Sequence, residues 1–188
     1  MNDPGPLSLE QKEQLAVASG VLHALLRPAR MARANAWAMA AFGVLTILWG
    51  WVAGGGLWIG GALIAVAANE FRGVRVLSAL DPDGARILGW NQVVLAVVVC
   101  GYCAVVIARA GAAPDPSMAE IEKLAGFSSD LVAGLTAVVY GGVAVVVTIV
   151  QACLTRWHFR AGRRMASFVD ETPPWIVDVL RASAARSR

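Results

Sequence analysis

Four long apolar runs, separated by short polar breaks, set the pattern of this chain. The first, Ala36 to Ala53, carries no charge. The third, Ile87 to Ala108, has Asn91 and Gln92 as its strongly polar members, both near its start. The fourth, Leu131 to Leu154, is uncharged and rich in Val, Ala and Gly. A soluble helix keeps one polar face, so runs that stay apolar all round for this length point to a bilayer. A helix rises 1.5 Å per residue, and about 20 residues cross the roughly 30 Å hydrocarbon layer. The second run, Leu57 to Ala68, is shorter. It becomes a span by continuing through Asn69, Glu70 and Phe71, with Arg72 and Arg75 snorkelling into the headgroups. Gly54-Gly55-Gly56 predicts a tight turn between the first two runs.

The expected fold is therefore all-α: an integral membrane four-helix bundle of two αα hairpins, with amphipathic terminal helices. Spans are expected at about 36–53, 57–76, 87–108 and 131–154, with an inner loop at 77–86 and an outer loop at 109–130. Residues 1–35 are expected to form an amphipathic cytoplasmic N-terminal segment and 155–188 a basic cytoplasmic C-terminal one. Composition agrees: 57% of residues are hydrophobic and 15% charged, where soluble proteins carry roughly 25% charged residues. The net charge of +3 lies beside the apolar runs instead of forming a nucleic-acid footprint. No secretory signal pattern precedes Asn35, so the first run is expected to act as an uncleaved anchor.

Charge sets the orientation. Lys12, Arg27, Arg30 and Arg33 precede the first run; Arg72, Arg75 and Arg86 lie between the second and third; seven arginines follow the fourth. The opposite side has Arg109 and Lys123, among Asp115, Glu120, Glu122 and Asp130. The positive-inside rule then places both termini in the cytoplasm. Trp37, Trp90 and Trp157 fall at the inner ends and Trp49, Trp51 and Trp58 at the outer turn, where indole rings settle at both interfaces. Fourteen arginines against two lysines suggest a GC-rich bacterial genome, hence a bacterial plasma (inner) membrane.

Outside the runs, residues 8–26 read as an amphipathic helix opened by a Ser8/Gln11 capping box, with Leu15, Ala18, Leu22 and Leu25 on one face. It lies either on the inner membrane surface, with Arg27, Arg30 and Arg33 near anionic lipid headgroups, or against the protein itself. After the fourth span the helix is expected to continue to about Val169. Thr172 then caps a second helix opened by Pro173-Pro174, with Trp175, Ile176, Val179 and Leu180 as its apolar stripe. The outer loop has room for a short helix from Ser117 to Leu124.

The two halves look alike. Pro28, Arg33 and Trp37 precede the first hairpin, as Pro82, Arg86 and Trp90 precede the second. Phe71-Arg72 closes the first and Phe159-Arg160 the second, each with another arginine three residues further on. This is the pattern of a parallel duplication, although flanks under the positive-inside rule also converge on Trp, Phe and Arg.

Candidate chemistry is sparse. Glu70 is the one acid expected within a span, and an intramembrane carboxylate demands a partner. A polar cluster of Asn69, Glu70, Asn91, His158 and Arg160 is the resulting candidate, with Arg160 or Asn91 reaching Glu70 across the bundle; a structural hydrogen bond at the interface is the plainer reading. Cys100 and Cys103 form a CxxC on the third span, a weak candidate redox pair. The chain resembles four-helix disulfide-generating quinone enzymes only in helix count, and residues 111–130 lack the relay cysteines those enzymes need. Small residues recur at Gly61, Ala65, Asn69 and Gly73 and at Ala133, Ala137 and Gly141, a spacing that lets helices approach closely. No catalytic, cofactor or metal motif is apparent, and no nucleic-acid partner is expected. The expectation is a non-enzymatic accessory, assembly or scaffold subunit acting through its cytoplasmic face, with a protein partner or as a homo-oligomer. The alternatives are a small oligomeric transporter or channel using Glu70 and, more remotely, a thiol–quinone protein.

Overall fold

The computed structural model describes residues 7–53, 57–112 and 129–186. The Gly54–Gly56 turn and the short helix expected from Ser117 to Leu124 lie outside the described residues. All elements among those described are helices: α1 (Leu9–Leu25), α2 (Arg27–Ala53), α3 (Leu57–Leu77), α4 (Asp83–Ala112), α5 (Ser129–Glu171) and α6 (Pro174–Arg186). Three stretches are long and apolar enough to cross a membrane, Leu9–Val52, Asp83–Ala112 and Asp130–Glu171. Helix α3 is not among them, since Glu70, Arg72 and Arg75 fall in its last two turns.

Local chemistry explains the breaks. Ser8 caps α1 through the reciprocal Ser8/Gln11 box, with bonds of 3.2 and 2.9 Å, a device worth about 1 kcal/mol. Leu26 then ends α1 by donating to Leu22 and starts α2 by accepting from Arg30, a hinge of one residue. Pro28 falls in the first turn of α2, where its missing N–H costs nothing. The basic stretch from Arg27 to Arg33 thus belongs to the same helix as the first apolar run, instead of leading up to it.

The turn after α3 is less ordinary. Asp81 N–H bonds to Val76 carbonyl at 3.4 Å and Leu80 N–H to Leu77 carbonyl at 3.1 Å, the bond pattern of a Schellman cap. Its left-handed position is filled by Leu80, at φ 60°, where glycine is usual. Asp81 then accepts from the Asp83 N–H at 2.9 Å and starts α4. At the far end, the carbonyl of Pro173 accepts the first bonds of α6, so the capping position is Pro173, one residue after the expected Thr172.

Packing follows chain order: α2 lies on α3, α3 on α4, and α4 on α5. The first crossing is a backbone approach at Gly43 and Gly60, where a Cβ added to Gly60 would sit 2.8 Å from the Gly43 carbonyl oxygen. Gly61 and Ala65 of the small-residue stripe are not part of it: both are exposed, and an added Cβ on Gly61 meets nothing within 4 Å. The second crossing brings Gly84 against Leu77 and Gly73, and the third seats Phe159 over Gly89 and Ala85 over Gly162. In both outer crossings a Trp meets a Phe edge-on: Trp37 with Phe71 at 5.2 Å and Trp90 with Phe159 at 6.3 Å.

The larger of the two apolar cores lies mostly outside the long runs. It joins Ala18 and Leu22 of α1, Ala29 and Ala32 of α2, Val74 and Leu77 of α3, and Leu80. Ala85 and Leu88 of α4, Met165 of α5, and Ile176, Val177 and Leu180 of α6 complete it. All six helices therefore meet in one cap at the end marked by the α3–α4 turn. The apolar face of α1 is packed on the protein, the second of its two expected placements. A smaller cluster, Met39, Val66, Ala67 and Leu95, lies further along the runs. Beyond it the helices thin out, and none of the apolar window of α5 is buried within the chain. Uncovered apolar surface of that extent suits lipid, not water.

Candidate functional site

The polar groups cluster where α2, α3 and α4 enter the cap. Glu70 is fully buried and its carboxylate accepts from two neutral amides. Asn35 Nδ2 lies 3.1 Å from both carboxylate oxygens, and Gln92 Nε2 lies 3.2 Å from Oε1. Beside it, Asn69 Nδ2 donates to Asn91 Oδ1 at 3.0 Å, and Asn91 Nδ2 donates to the Val66 carbonyl at 3.1 Å. Successive polar residues on α3 and α4 thus pair in register, Asn69 with Asn91 and Glu70 with Gln92. This leaves few donors idle in a place where an unmade bond costs about 1–3 kcal/mol. Gln92 Oε1 is buried with no partner among the described residues.

Of the five residues expected to form the cluster, the structure joins Asn69 to Asn91 and places Glu70 next to them with other partners. Asn91 does not reach Glu70. Arg160 does not pair with it either; it is exposed on α5 and lines a groove there. His158 is buried, one turn beyond the 131–154 run, with Nδ1 unpartnered among the described residues. Burial alone pulls its imidazole down to about 4, from the usual 6.5. The two residues that hold Glu70, Asn35 and Gln92, carry the missing signal. Asn35 stands just outside the apolar run that begins at Ala36, but nine residues inside α2, on a turn facing α3.

Cys100 and Cys103 lie one turn apart on α4 as free thiols. Cys103 is buried, whereas Cys100 faces α5, 3.5 Å from Thr148 Oγ1 and 3.8 Å from the Ala144 carbonyl. Those contacts suit a thiol serving as a small packing residue. Among the described residues no three of His, Cys, Asp and Glu converge as a metal site requires. Set against known protein families, curated proteins and solved structures, the chain matches none.

Proposed function

We propose that the chain is a four-span bacterial inner-membrane protein, with both termini cytoplasmic, that works as a non-enzymatic accessory or scaffold subunit through its cap. The observation that carries this reading is the cap itself. The two terminal helices, α1 and α6, are folded onto one end of the other four, giving a packed surface that this reading assigns to the cytoplasm. The arginine distribution supports the orientation. In that frame α3 spans as a 21-residue helix, about 31 Å long, with Arg72 and Arg75 at the inner headgroups. The Trp–Phe contact that recurs in both outer crossings supports two duplicated hairpins. Glu70, held by Asn35 and Gln92, then acts as a structural lock between α2, α3 and α4.

A photo-crosslinking amino acid at Gln14 or Val17, both exposed on α1, tests the role. It should yield a discrete protein adduct in intact cells, while the same group at Val146 of α5 yields lipid adducts. The unpartnered Oε1 of Gln92 beside Glu70 is the one feature favouring transport. If the purified chain instead conducts a solute into liposomes and Glu70→Gln stops it while the protein stays folded, the scaffold reading is wrong.

A further inference from the structure

We infer that the groove between α4 and α5 binds an anionic phospholipid of the inner leaflet, with its phosphate held by Arg156, Arg160 and Arg163. The proposal rests on the membrane orientation given above and goes beyond it by naming the site and the ligand. The groove holds roughly 1050 Å³ and changes character along its length. Val93, Ala96, Thr148, Ala152 and Cys153 line the part level with the apolar runs, with Gln151 among them. Toward the cap the lining turns to Thr155, Phe159 and the three arginines.

Spacing puts the arginines on one ridge. Positions 156, 160 and 163 follow the i, i+4, i+7 rule, so the guanidinium groups line one face of α5 over about 10 Å. The first follows the last apolar residue of the run, Leu154, by two positions, which sets the ridge at headgroup depth. No described acidic side chain forms an ion pair with any of the three. Arg86 and Asp83 flank Arg163 in the adjoining hollow, whose balance stays basic. Guanidinium groups suit phosphate, which they grip through paired N–H donors.

Deeper in the same groove, Gln151 has a buried Oε1 without a partner among the described residues. Its amide, turned either way, meets a glycerol hydroxyl or an ester carbonyl at the depth where a phospholipid carries them. A mostly apolar wall bearing one unpartnered amide, then a basic mouth, thus follow the order of acyl chain with its glycerol ester and phosphate. The basic stretch of α2 is a poorer candidate. Arg30 there is already engaged with His23, at 2.7 Å to the ring and 3.4 Å to the carbonyl.

The test uses the full chain purified in detergent and titrated with phosphatidylglycerol or with phosphatidylcholine of the same acyl chains, bound lipid being counted by native mass spectrometry. The wild type should retain phosphatidylglycerol in preference, and inorganic phosphate should not displace it. Arg156→Gln with Arg160→Gln should weaken phosphatidylglycerol by about fivefold per arginine, near thirtyfold for the pair, leaving phosphatidylcholine unchanged. Ala152→Trp, which fills the apolar part and keeps every charge, should reduce retention as well. Arg181→Gln with Arg186→Gln on α6 should leave it alone. Wild-type preference in the Arg156/Arg160 variant, or an equal loss in the α6 variant, overturns the site. Displacement by inorganic phosphate shows an anion site with no lipid and overturns the ligand. Alkaline carbonate washing distinguishes the wider failure: a chain released from membranes without detergent is not integral, and both readings then fall.

Discussion

Leu80→Gly sets two opposed effects against each other at one residue. At φ 60° a leucine strains the backbone, and glycine in that left-handed position recovers about 1 kcal/mol. Against this, Leu80 is fully buried in the cap, packed with Leu77, Leu88 and Met165 of three different helices. Removing a buried leucine side chain costs about 2–5 kcal/mol, and glycine also gains freedom in the unfolded chain worth about 0.5–1 kcal/mol. Packing wins, and the net effect is a loss of about 2–4 kcal/mol. For a chain of this length that lowers Tm by roughly 5–15 °C. Tryptophan fluorescence during heating in mild detergent reads the change. Leu80→Ala is the decisive companion, because alanine loses nearly the same packing but keeps the strain. It should be no more stable than Leu80→Gly, the reverse of the usual ranking of alanine and glycine. A Leu80→Gly variant that melts above the wild type would show that the cap does not hold the fold together. An alanine variant clearly more stable than the glycine one would show that the turn is not left-handed at this residue.

Other substitutions probe separate parts of the argument. Gly84→Ala would press its new Cβ against Leu77 backbone atoms, and within 2.7 Å of the Gly73 carbonyl oxygen, so α3 and α4 must part. A loss of about 2 kcal/mol or more is expected. Gly20→Ala on α1 meets nothing within 4 Å and should raise stability by about 0.5–1 kcal/mol; the same sign for both variants would refute the close approach. A double-mutant cycle of Asn35→Ala and Glu70→Gln should show coupling of about 1 kcal/mol, and additive losses would deny the 3.1 Å bonds. His158 is held neutral by burial, so the folded state binds fewer protons than the unfolded state between about pH 6.5 and 4. Stability should be fully present above pH 6.5 and decline as pH falls through that window; His158→Phe should remove this component, and an unaltered pH profile would argue that the ring is solvated.

Much of the architecture is legible in the residues because its signals are local or compositional. Apolar length marked the runs, the Ser8/Gln11 box marked the start of α1, and Pro173-Pro174 marked the break before α6. What stayed hidden depends on which helix meets which. Periodicity puts Gly61, Ala65 and Asn69 on one face of α3, but it does not say that α2 arrives at Gly60. A left-handed leucine has no sequence signature, since its strain is offset by burial that only the fold provides. The partners of Glu70 were obscured for a related reason. The uninterrupted apolar run begins at Ala36, which puts Asn35 among the flanking residues, although the helix begins at Arg27. Gln92 was visible as a polar residue in an apolar run, but its register with Glu70 depends on the approach of Gly84 to Gly73, which sets the height of α4 against α3.

The cap joins α1 to α6, and this orders its assembly in time. Each hairpin can close on neighbours made moments earlier. By contrast, Ala18 and Leu22 of α1 find Ile176, Val177 and Leu180 only after every helix from α2 to α6 has left the ribosome. Until then α1 waits with its apolar face bare, within reach of chaperones and proteases. A chain cut short before α6 should therefore insert into the bilayer normally and still be recognised as unfinished. Completion of the cap thus separates chains that include α6 from shorter ones that carry the same long apolar helices.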